Sequence, residues 1–452
     1  MDKDVRNGRL SHITEEVSRL LRGGEIEKVA RLVEDLHPAE LADILNHLPP
    51  EEKKDFLLLL DTDKAADAIL ETSEETLSYL LDALDASELS EITTEMETDD
   101  AVDIVGEMEE EKREEVLRLI PEEESRYVKD LLQYPEDSAG GLMNPHYFSL
   151  NASATVARAL KQLREVPEWA REAHWIYVVD DKGKLLGYVT LWDLISSSSR
   201  KHLKSIMREL PVVVNIKDDQ EEVADIVAKY DLVEVPVVDD DGRLVGIITV
   251  DDVVDVIEEE ATEDFLHMGA SSVDDSPFAS PIGSFRYRFP WLAINLVTAF
   301  LAASVIGAFQ HTIKRTVALV MFMPVVAGMG GNAGIQSLTV TVRSIALGEV
   351  RLEDALPVVI KEFMVGLLSG ICIGLLTALI ALAWEGDPML GLVVGLALVV
   401  NLVVACIMGV AVPMGLRWLK LDPALASGVI LTTFTDITGF FVLLGLATVL
   451  MR

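Results

Sequence analysis

The sequence predicts a mostly α-helical membrane protein. In order, it predicts an acidic helical superhelix, two small α/β modules, an acidic connecting helix and five transmembrane helices. Three observations support this prediction. The 452 residues are half hydrophobic yet carry a net charge of −37, the charge lies in one half of the chain, and the other half contains long apolar runs.

The charge separates the chain into two parts. Residues 1–285 contain 28 Lys and Arg against 67 Asp and Glu, whereas the remainder contains 10 against 8. The first thirty residues are charged and lack the apolar core of a signal peptide, so we expect the acidic part to be cytoplasmic. The excess of carboxylates argues against nucleic acid as a partner and favours cations.

Residues 26–132 repeat a short amphipathic pattern every 11 to 13 residues. Each repeat opens with a helix-start signal, and acids follow in the first turn. The pattern predicts a small solenoid of short helices. Most of its carboxylates are also explained by a solvated face. The six start signals are His37-Pro38, Pro49-Pro50, Asp61-Thr62, Thr72-Ser73, Asp85-Ala86 and Glu97-Thr98.

Two later segments resemble each other, residues 176–193 and 235–252. Each predicts a strand, an Asp-x-Gly turn, a second strand and a helix opened by Thr-x-x-Asp. The duplicated pattern resembles a tandem pair of CBS modules. That resemblance implies adenine-nucleotide binding, with the ribose held by the acids at positions 193 and 252. The alternative is that Asp193 and Asp252 only cap their helices.

The second module continues into a strongly acidic helix, residues 250–264. Asp251, Asp255, Glu258 and Glu259 share faces and repel one another at helical spacing. Divalent cations bridging this helix to other acidic surfaces would relieve that repulsion, although a plain solvated linker is the competing interpretation. Residues 271–277 are typical of a flexible hinge.

Five apolar runs follow, at about residues 289–310, 316–346, 356–383, 389–418 and 423–451, each long enough to span a bilayer. An odd number of spans and a cytoplasmic N-terminus predict an external C-terminus. Most basic residues fall in the loops predicted to be inside, but Lys314 and Arg315 do not.

One acid, Asp436, lies about midway along the fifth run. A carboxylate at that depth is costly unless it meets a cation, a partner or water, so Asp436 is the first candidate for function. The second run contains four glycines and Pro324 between residues 324 and 336, which predicts a broken helix lining the pathway. Its free carbonyls, with Asn332 and Gln336, would then bind a hard cation. The alternative is a glycine-rich helix crossing.

The remaining polar residues of the apolar half indicate packing. We expect Asn295 and Asn401 to form interhelical hydrogen bonds, and Cys372 and Cys406 to be small packing residues. We expect no enzymatic activity, because the sequence shows no nucleophile–base pair, phosphate-binding loop or His/Cys metal cluster.

The order of parts and four motifs resemble the MgtE family of magnesium channels. The motifs are Pro324 with Gly331-Asn-Ala-Gly-x-Gln336, Thr432-Thr-x-Thr-Asp436-x-Thr-Gly439, Glu136-Asp-Ser-Ala-Gly-Gly-Leu-Met143 and Glu260-Ala-Thr-Glu-Asp264. The expected boundaries are 1–135 for the helical domain, 136–200 and 201–255 for the CBS modules, 250–285 for the connecting helix and hinge, and 286–452 for the membrane domain.

The resemblance implies a homodimer in a plasma (inner) membrane with its pore at the subunit interface. Asp436 from each subunit, with Asn332, would hold a largely hydrated Mg²⁺, which is how Mg²⁺ is usually bound. Intracellular Mg²⁺ would close the pore by bridging carboxylates, whose repulsion would otherwise open it. The residues implied in Mg²⁺ sensing are Asp67, Asp99, Asp219, Glu221, Asp231, Asp252, Asp255, Glu259, Glu263 and Asp264, and ATP is a possible ligand of the CBS pair.

The sequence departs from the family pattern at Ile335 and Gly428, where some relatives carry Asn. Both changes remove a polar contact from the predicted pore, which bears on its selectivity among Mg²⁺, Mn²⁺ and Co²⁺. A secondary transporter coupled to Na⁺ or H⁺ is the rival to a passive channel. Such carriers usually have several ionisable groups in the membrane, whereas here Lys361 and Glu362 are expected near the end of a span.

Overall fold

The computed structural model of the protein describes residues 3–165, 174–269, 280–425 and 427–451. The chain divides into two compact units, residues 1–256 and residues 257–452. The predicted hinge at 271–277 lies outside the described residues.

Within the described residues, the first unit begins with ten helices. They are α1 (Lys3–Arg22), α2 (Ile26–Val33), α3 (Pro38–His47), α4 (Pro50–Leu57), α5 (Thr62–Leu70), α6 (Glu74–Ala83), α7 (Ala86–Thr94), α8 (Thr98–Gly106), α9 (Glu110–Leu119) and α10 (Glu122–Leu131).

The helices α3 to α8 begin where the six start signals predict, so that part of the prediction is confirmed. His37 and Asp85 form capping boxes, in which the side chain accepts from the backbone of the first turn. The caps satisfy amide groups that a helix end leaves without partners.

The helices of this superhelix pack mainly on the second helix along the chain. α3 lies on α5, α5 on α7 and α7 on α9, while α4 lies on α6 and α8 on α10. One continuous apolar core runs through the stack. The basic side chains Lys54 and Lys112 donate to the carbonyls that end α6. At the end of α6, lysines therefore satisfy the last carbonyls in place of a glycine cap.

In the remainder of the first unit, the described residues form two three-stranded sheets with the strand orders β1-β2-β3 and β4-β5-β6. In each, the first pair is parallel and the second antiparallel. The turns contain Gly183 at φ +80° and Gly242 at φ +76°. The elements are α11 (Ala139–Leu142), β1 (Ser149–Asn151), α12 (Val156–Gln162), β2 (Ile176–Val179), β3 (Leu185–Val189), α13 (Leu191–Ser196), β4 (Val214–Asn215), α14 (Gln220–Tyr230), β5 (Glu234–Val238), β6 (Leu244–Thr249) and α15 (Val250–Met268).

These elements confirm the duplicated strand–turn–strand–helix pattern. The acidic segment is also helical, as predicted. It forms α15, which begins in the first unit and ends in the second.

The second unit is a helical bundle. Its helices are α16 (Pro281–Ala308), α17 (Gln310–Arg315), α18 (Leu319–Ala346), α19 (Ala355–Glu385), α20 (Pro388–Trp418) and α21 (Ser427–Leu450). In the described residues, five helices are long and apolar enough to cross a membrane, as the sequence predicts. α20 lies at the centre and packs on α18, α19 and α21.

The prediction of a broken second span is wrong. α18 is one continuous α-helix from Leu319 to Ala346, with Pro324 inside it. A Cβ atom added at Gly330 would meet Asn401, and one added at Gly334 would meet Leu431, at less than 3.0 Å. These glycines therefore allow neighbouring helices to approach, which is the alternative that the sequence left open.

Candidate ion pathway and acidic cluster

Asp436 lies in the first half of α21, and its side chain is half-buried. None of the described residues forms a hydrogen bond or an ion pair with its carboxylate. The nearby hydroxyls of Thr432, Thr433 and Thr435 instead donate to carbonyls of their own helix. Asp436 is thus an acid within an apolar helix, and none of the described residues balances its charge.

Asn332 lies on the exposed surface of α18 in this single chain, as do Ile335 and Gln336. The opposite side of α18 is buried and packs on α20 and α21. The structure therefore places Asn332 where a lipid or another subunit could contact it. Asn332 lies on α18 and Asp436 lies on α21, and these two helices pack together.

Asn401 of α20 forms the interhelical hydrogen bond that the sequence predicts. Its Nδ2 donates to the carbonyl of Val326 in α18 at 2.9 Å, and the residue is 0% exposed. Its Oδ1 has no hydrogen-bond partner among the described residues. Asn295 differs from the prediction, because its hydrogen bond comes from Thr298 in its own helix.

Glu362 is buried inside the bundle, and sequence reasoning missed its role. Its Oε2 accepts from the Ser337 hydroxyl at 2.8 Å, and its Oε1 accepts from Lys361 at 2.6 Å. The available signal was an acid directly after a lysine within the third apolar run. Among the described residues, the apolar half therefore has a buried carboxylate besides the half-buried Asp436, and this one is paired.

In the first unit, acids at the start of α8 and at the start of α15 lie close together and form a cluster. Asp99 and Asp100 lie close enough to Asp252 for its charge to raise both of their pKa values. Glu97 belongs to the same cluster, since Asn144 donates to its Oε2 at 2.6 Å and to Asp99 Oδ1 at 3.1 Å. The structure thus brings together two predicted metal residues, Asp99 and Asp252, and adds two acids that were not predicted, Glu97 and Asp100.

The pKa values in this cluster reflect burial and mutual repulsion. Burial and the charge of Asp252 raise the pKa of Asp99 well above its usual range, and the same causes raise that of Asp100 to about 7. Burial also raises the pKa of Asp252, against the hydrogen bond from Thr249. A divalent cation would favour the charged forms of all three.

A second group of acids lies at the end of α15, within the second unit. Burial, and to a smaller extent the charges of Asp422 and Glu263, raise the pKa of Asp264 to about 6. His267 Nδ1 lies 2.8 Å from Asp422 Oδ2 and 3.5 Å from Glu263 Oε1. Asp422 was missed, although it is the one acid between the fourth and fifth apolar runs.

Gly428 has a structural reason that the sequence did not reveal. A Cβ atom there would lie 2.8 Å from the carbonyl oxygen of Met268 at the end of α15. The start of α21 therefore contacts the end of α15 directly, and a larger residue would separate them.

The other predicted sensor residues have local structural roles or repulsive neighbours. Asp219 caps α14 and accepts from the Glu221 amide, and Asp231 ends that helix in the left-handed conformation. Burial and Asp63 raise the pKa of Asp67. Asp255 and Glu259 both lie on α15, where the charge of Asp255 raises the pKa of Asp252.

Neither acidic cluster has the geometry of a dry metal site. Among the described residues, no three His, Cys, Asp or Glu side chains are arranged to hold one ion directly. The donor set instead suits Mg²⁺, which keeps several water molecules and is bound through one or two carboxylates.

Both candidate ribose-binding acids cap helices, which is the alternative that the sequence left open. Asp193 accepts from the backbone N–H of Thr190 at 3.0 Å and from its hydroxyl at 2.7 Å. Asp252 accepts from the backbone N–H of Thr249 at 3.2 Å and from its hydroxyl at 2.6 Å. Arg208 also donates to Asp193 at 2.7 Å, and this bond is the main reason that its pKa falls to about 2.

Comparison with known proteins identifies the chain's family. The sequence model described as a divalent cation transporter, MgtE, matches residues 323–446, and that of the MgtE intracellular N domain matches 36–137. The CBS domain model matches 139–200 and 203–259. The chain is 41% identical over 327 residues to the magnesium transporter MgtE of Thermus thermophilus, covering 72% of each chain. It belongs to the MgtE family.

Two further similarities agree with this assignment. The magnesium transporter MgtE of Bacillus subtilis is 34% identical over 325 residues, again 72% of each chain. A crystal structure of the cytosolic domain of the Mg²⁺ channel MgtE in complex with ATP has a TM-score of 0.50 and 36% identity, covering 54% of this chain and 99% of that one. The predicted family and fold class are confirmed, and the family is one of magnesium transporters.

Proposed function

We propose that this MgtE protein is a Mg²⁺-selective channel for Mg²⁺ uptake. The observation that carries the proposal is Asp436, a half-buried acid in a 24-residue apolar helix without an ion-pair partner among the described residues. A homodimer would bring two such acids to one pathway, where a hydrated Mg²⁺ would balance them. Asn332, exposed on the neighbouring helix α18, would supply further oxygen ligands.

The hydrogen bonds of Glu362 favour a channel over a coupled carrier. This carboxylate is paired with Lys361 and Ser337, so it is not a free group for proton or sodium exchange. Mn²⁺ and Co²⁺ are the ions with which Mg²⁺ would compete, since they accept the same oxygen ligands.

Cytoplasmic Mg²⁺ would close this channel. Glu97, Asp99, Asp100 and Asp252 repel one another when no cation is present, and Asp264 is similarly opposed by Asp422 and Glu263. Bound Mg²⁺ would hold these groups together, and loss of Mg²⁺ would let them separate. The first unit and the N-terminus would be cytoplasmic, and the C-terminus would lie outside the plasma membrane.

Single-channel recording tests channel against carrier. The purified full-length protein would be reconstituted in a planar bilayer with Mg²⁺ on one side. A channel gives unitary current steps, whereas a carrier gives none and shows flux that depends on a Na⁺ or H⁺ gradient. Steps that vanish when Mg²⁺ is added to the side of the first unit would support gating.

Limited proteolysis tests the sensor separately. Cleavage of the first unit should slow as Mg²⁺ rises from micromolar to about 10 mM, a rough range for weak carboxylate sites. Asp99→Asn with Asp252→Asn should remove this protection, while Glu110→Gln, on the surface of α9, should retain it. Cleavage indifferent to Mg²⁺ in the unaltered protein would exclude this gating mechanism.

ATP binding at the CBS pair is a further part of the proposal, supported by the ATP complex of the similar cytosolic domain. Asp193 would hold the ribose, as the resemblance of the Thr190-x-x-Asp193 helix start to that of CBS modules implies. Asp193→Ala should abolish ATP binding measured by calorimetry, and Asp180→Ala, in the turn after β2, should not.

A further inference from the structure

Three membrane helices meet at one buried hydroxyl. Ser337 of α18 lies 2.8 Å from Glu362 Oε2 in α19 and 2.9 Å from the Cys406 carbonyl oxygen in α20. Ser337 and Glu362 are 4% and 5% exposed. A serine hydroxyl carries one hydrogen, so the carboxylate and the carbonyl share a single donor.

Lys361 completes the arrangement from the surface. Its ammonium lies 2.6 Å from Glu362 Oε1, while its own side chain is 61% exposed. The ammonium group offsets the charge that a buried carboxylate would otherwise carry alone. Both oxygens of Glu362 are therefore engaged, one by each neighbour.

The backbones around this hydroxyl are in close contact. A Cβ atom on Gly409 of α20 would lie 2.7 Å from the Cβ of Ser337, and one on Gly366 of α19 would lie 2.9 Å from the Leu402 carbonyl oxygen. In lipid, apolar burial does not drive helices together, because lipid tails are equally apolar; close packing and interhelical hydrogen bonds hold them instead. A directional hydrogen bond at a close crossing helps to fix the register, because a slide of either helix breaks it.

We propose that Glu362 is a positioning residue of the ion pathway, acting through Ser337. By accepting from Ser337, it fixes the height and rotation of α18 against α19. Asn332 lies five residues before Ser337 on the same continuous helix, about 7.5 Å along the axis. The hydrogen bond between Ser337 and Glu362 therefore sets the position of the Asn332 amide, although Glu362 itself binds no transported ion. This inference rests on the proposed pathway at Asn332 and Asp436.

The test measures Mg²⁺ and Co²⁺ uptake into liposomes that contain the full-length protein. Glu362→Ala and Ser337→Ala should each lower Mg²⁺ uptake about tenfold. This factor corresponds to an interaction free energy in the middle of the range typical of contacting residues. The double variant should be no worse than either single one. Glu362→Gln keeps an oxygen that accepts from Ser337, so it should restore most of the uptake.

Selectivity provides a readout that loss of protein would not change. The ratio of Mg²⁺ to Co²⁺ uptake should change in Glu362→Ala and in Ser337→Ala, but remain unchanged in the control Ser369→Ala, also on α19. Uptake is normalised to the folded protein measured by gel filtration. If Glu362→Ala does not fold, Ser337→Ala and Glu362→Gln decide the question.

Two results would overturn the proposal. The first is unchanged uptake and selectivity in folded Ser337→Ala. The second is a folded Glu362→Gln that is as inactive as Asp436→Asn, which would show that the charge itself is required. Liposome uptake is measurable for a channel or a carrier, so absence of unitary currents would reject the channel without deciding the role of Glu362.

Discussion

The imidazole of His267, near the end of α15, lies 2.8 Å from a carboxylate oxygen of Asp422, just before α21. Gly428, at the start of α21, lies beside the Met268 carbonyl oxygen. The acidic helix thus ends against the same helix that bears Asp436. A movement of α15 would therefore reach the proposed pathway through direct contact.

Gly428→Ala should weaken the closure of the protein by Mg²⁺. The added methyl group would lie 2.8 Å from the Met268 carbonyl, so α15 or α21 must shift. We expect Mg²⁺ uptake to persist at an internal Mg²⁺ concentration that closes the unaltered protein, as measured in preloaded liposomes. Gly445→Ala is the matched control, because no described residue outside its own helix turn lies within 4 Å of its added atom. Equal Mg²⁺ inhibition in both variants would contradict this contact's role.

Asp436→Asn should abolish Mg²⁺ uptake while leaving a folded protein. The amide is close in size to the carboxylate but lacks the charge that the hydrated ion requires. Uptake into liposomes measures the loss, and gel filtration measures folding. Glu385→Gln, at the end of α19, removes a different acid and should retain uptake. A folded, fully active Asp436→Asn would reject the proposed pathway.

The metal-free protein should become more stable as the pH falls from about 8 to about 6. Burial and the charge of Asp252 raise the pKa of Asp100 to about 7, well above its value in the unfolded chain. The folded state therefore binds the extra proton, and its stability is lost as the pH rises through that pKa. One such carboxyl changes the free energy of unfolding by about 1.4 kcal/mol over this interval.

Thermal unfolding of the full-length protein in a chelator checks this prediction. Asp100→Asn should flatten the pH dependence and stabilise the metal-free protein near pH 8, as the buried charge is removed. Saturating Mg²⁺ should reverse the slope, since Mg²⁺ requires deprotonated carboxylates. If the metal-free protein instead became more stable as the pH rose from 6 to 8, this would contradict the repulsion within the cluster.

Gly330→Ala should destabilise the membrane helices. The added Cβ would lie 2.2 Å from Asn401 Nδ2, the donor that bonds the Val326 carbonyl. We expect a loss of about 1–3 kcal/mol, typical of overpacking, in chemical unfolding followed by circular dichroism. Gly331→Ala, one residue further on, meets nothing within 4 Å and should be stable. Similar unfolding of both variants would contradict the close helix crossing.

The sequence by itself determined the order of the modules, the starts of α3 to α8, the two CBS-like repeats and the five spans. These features depend on interactions between near neighbours: a cap with its first turn, a turn with its glycine, an apolar run with the bilayer. Asp436 was also predicted as a functional residue from sequence, because its cost depends only on where it lies in its own helix.

The tertiary structure decided which residues meet. The sequence shows four glycines in α18. Only the packing of the bundle shows that a Cβ atom at Gly330 would meet Asn401, whereas one at Gly331 would meet none of the described residues within 4 Å. It also decided that Glu362 pairs with Ser337 and that Asp100 shares a cluster with Asp252. Such pairs join side chains distant in sequence, and packing alone determines their distances and burial, from which their pKa shifts follow.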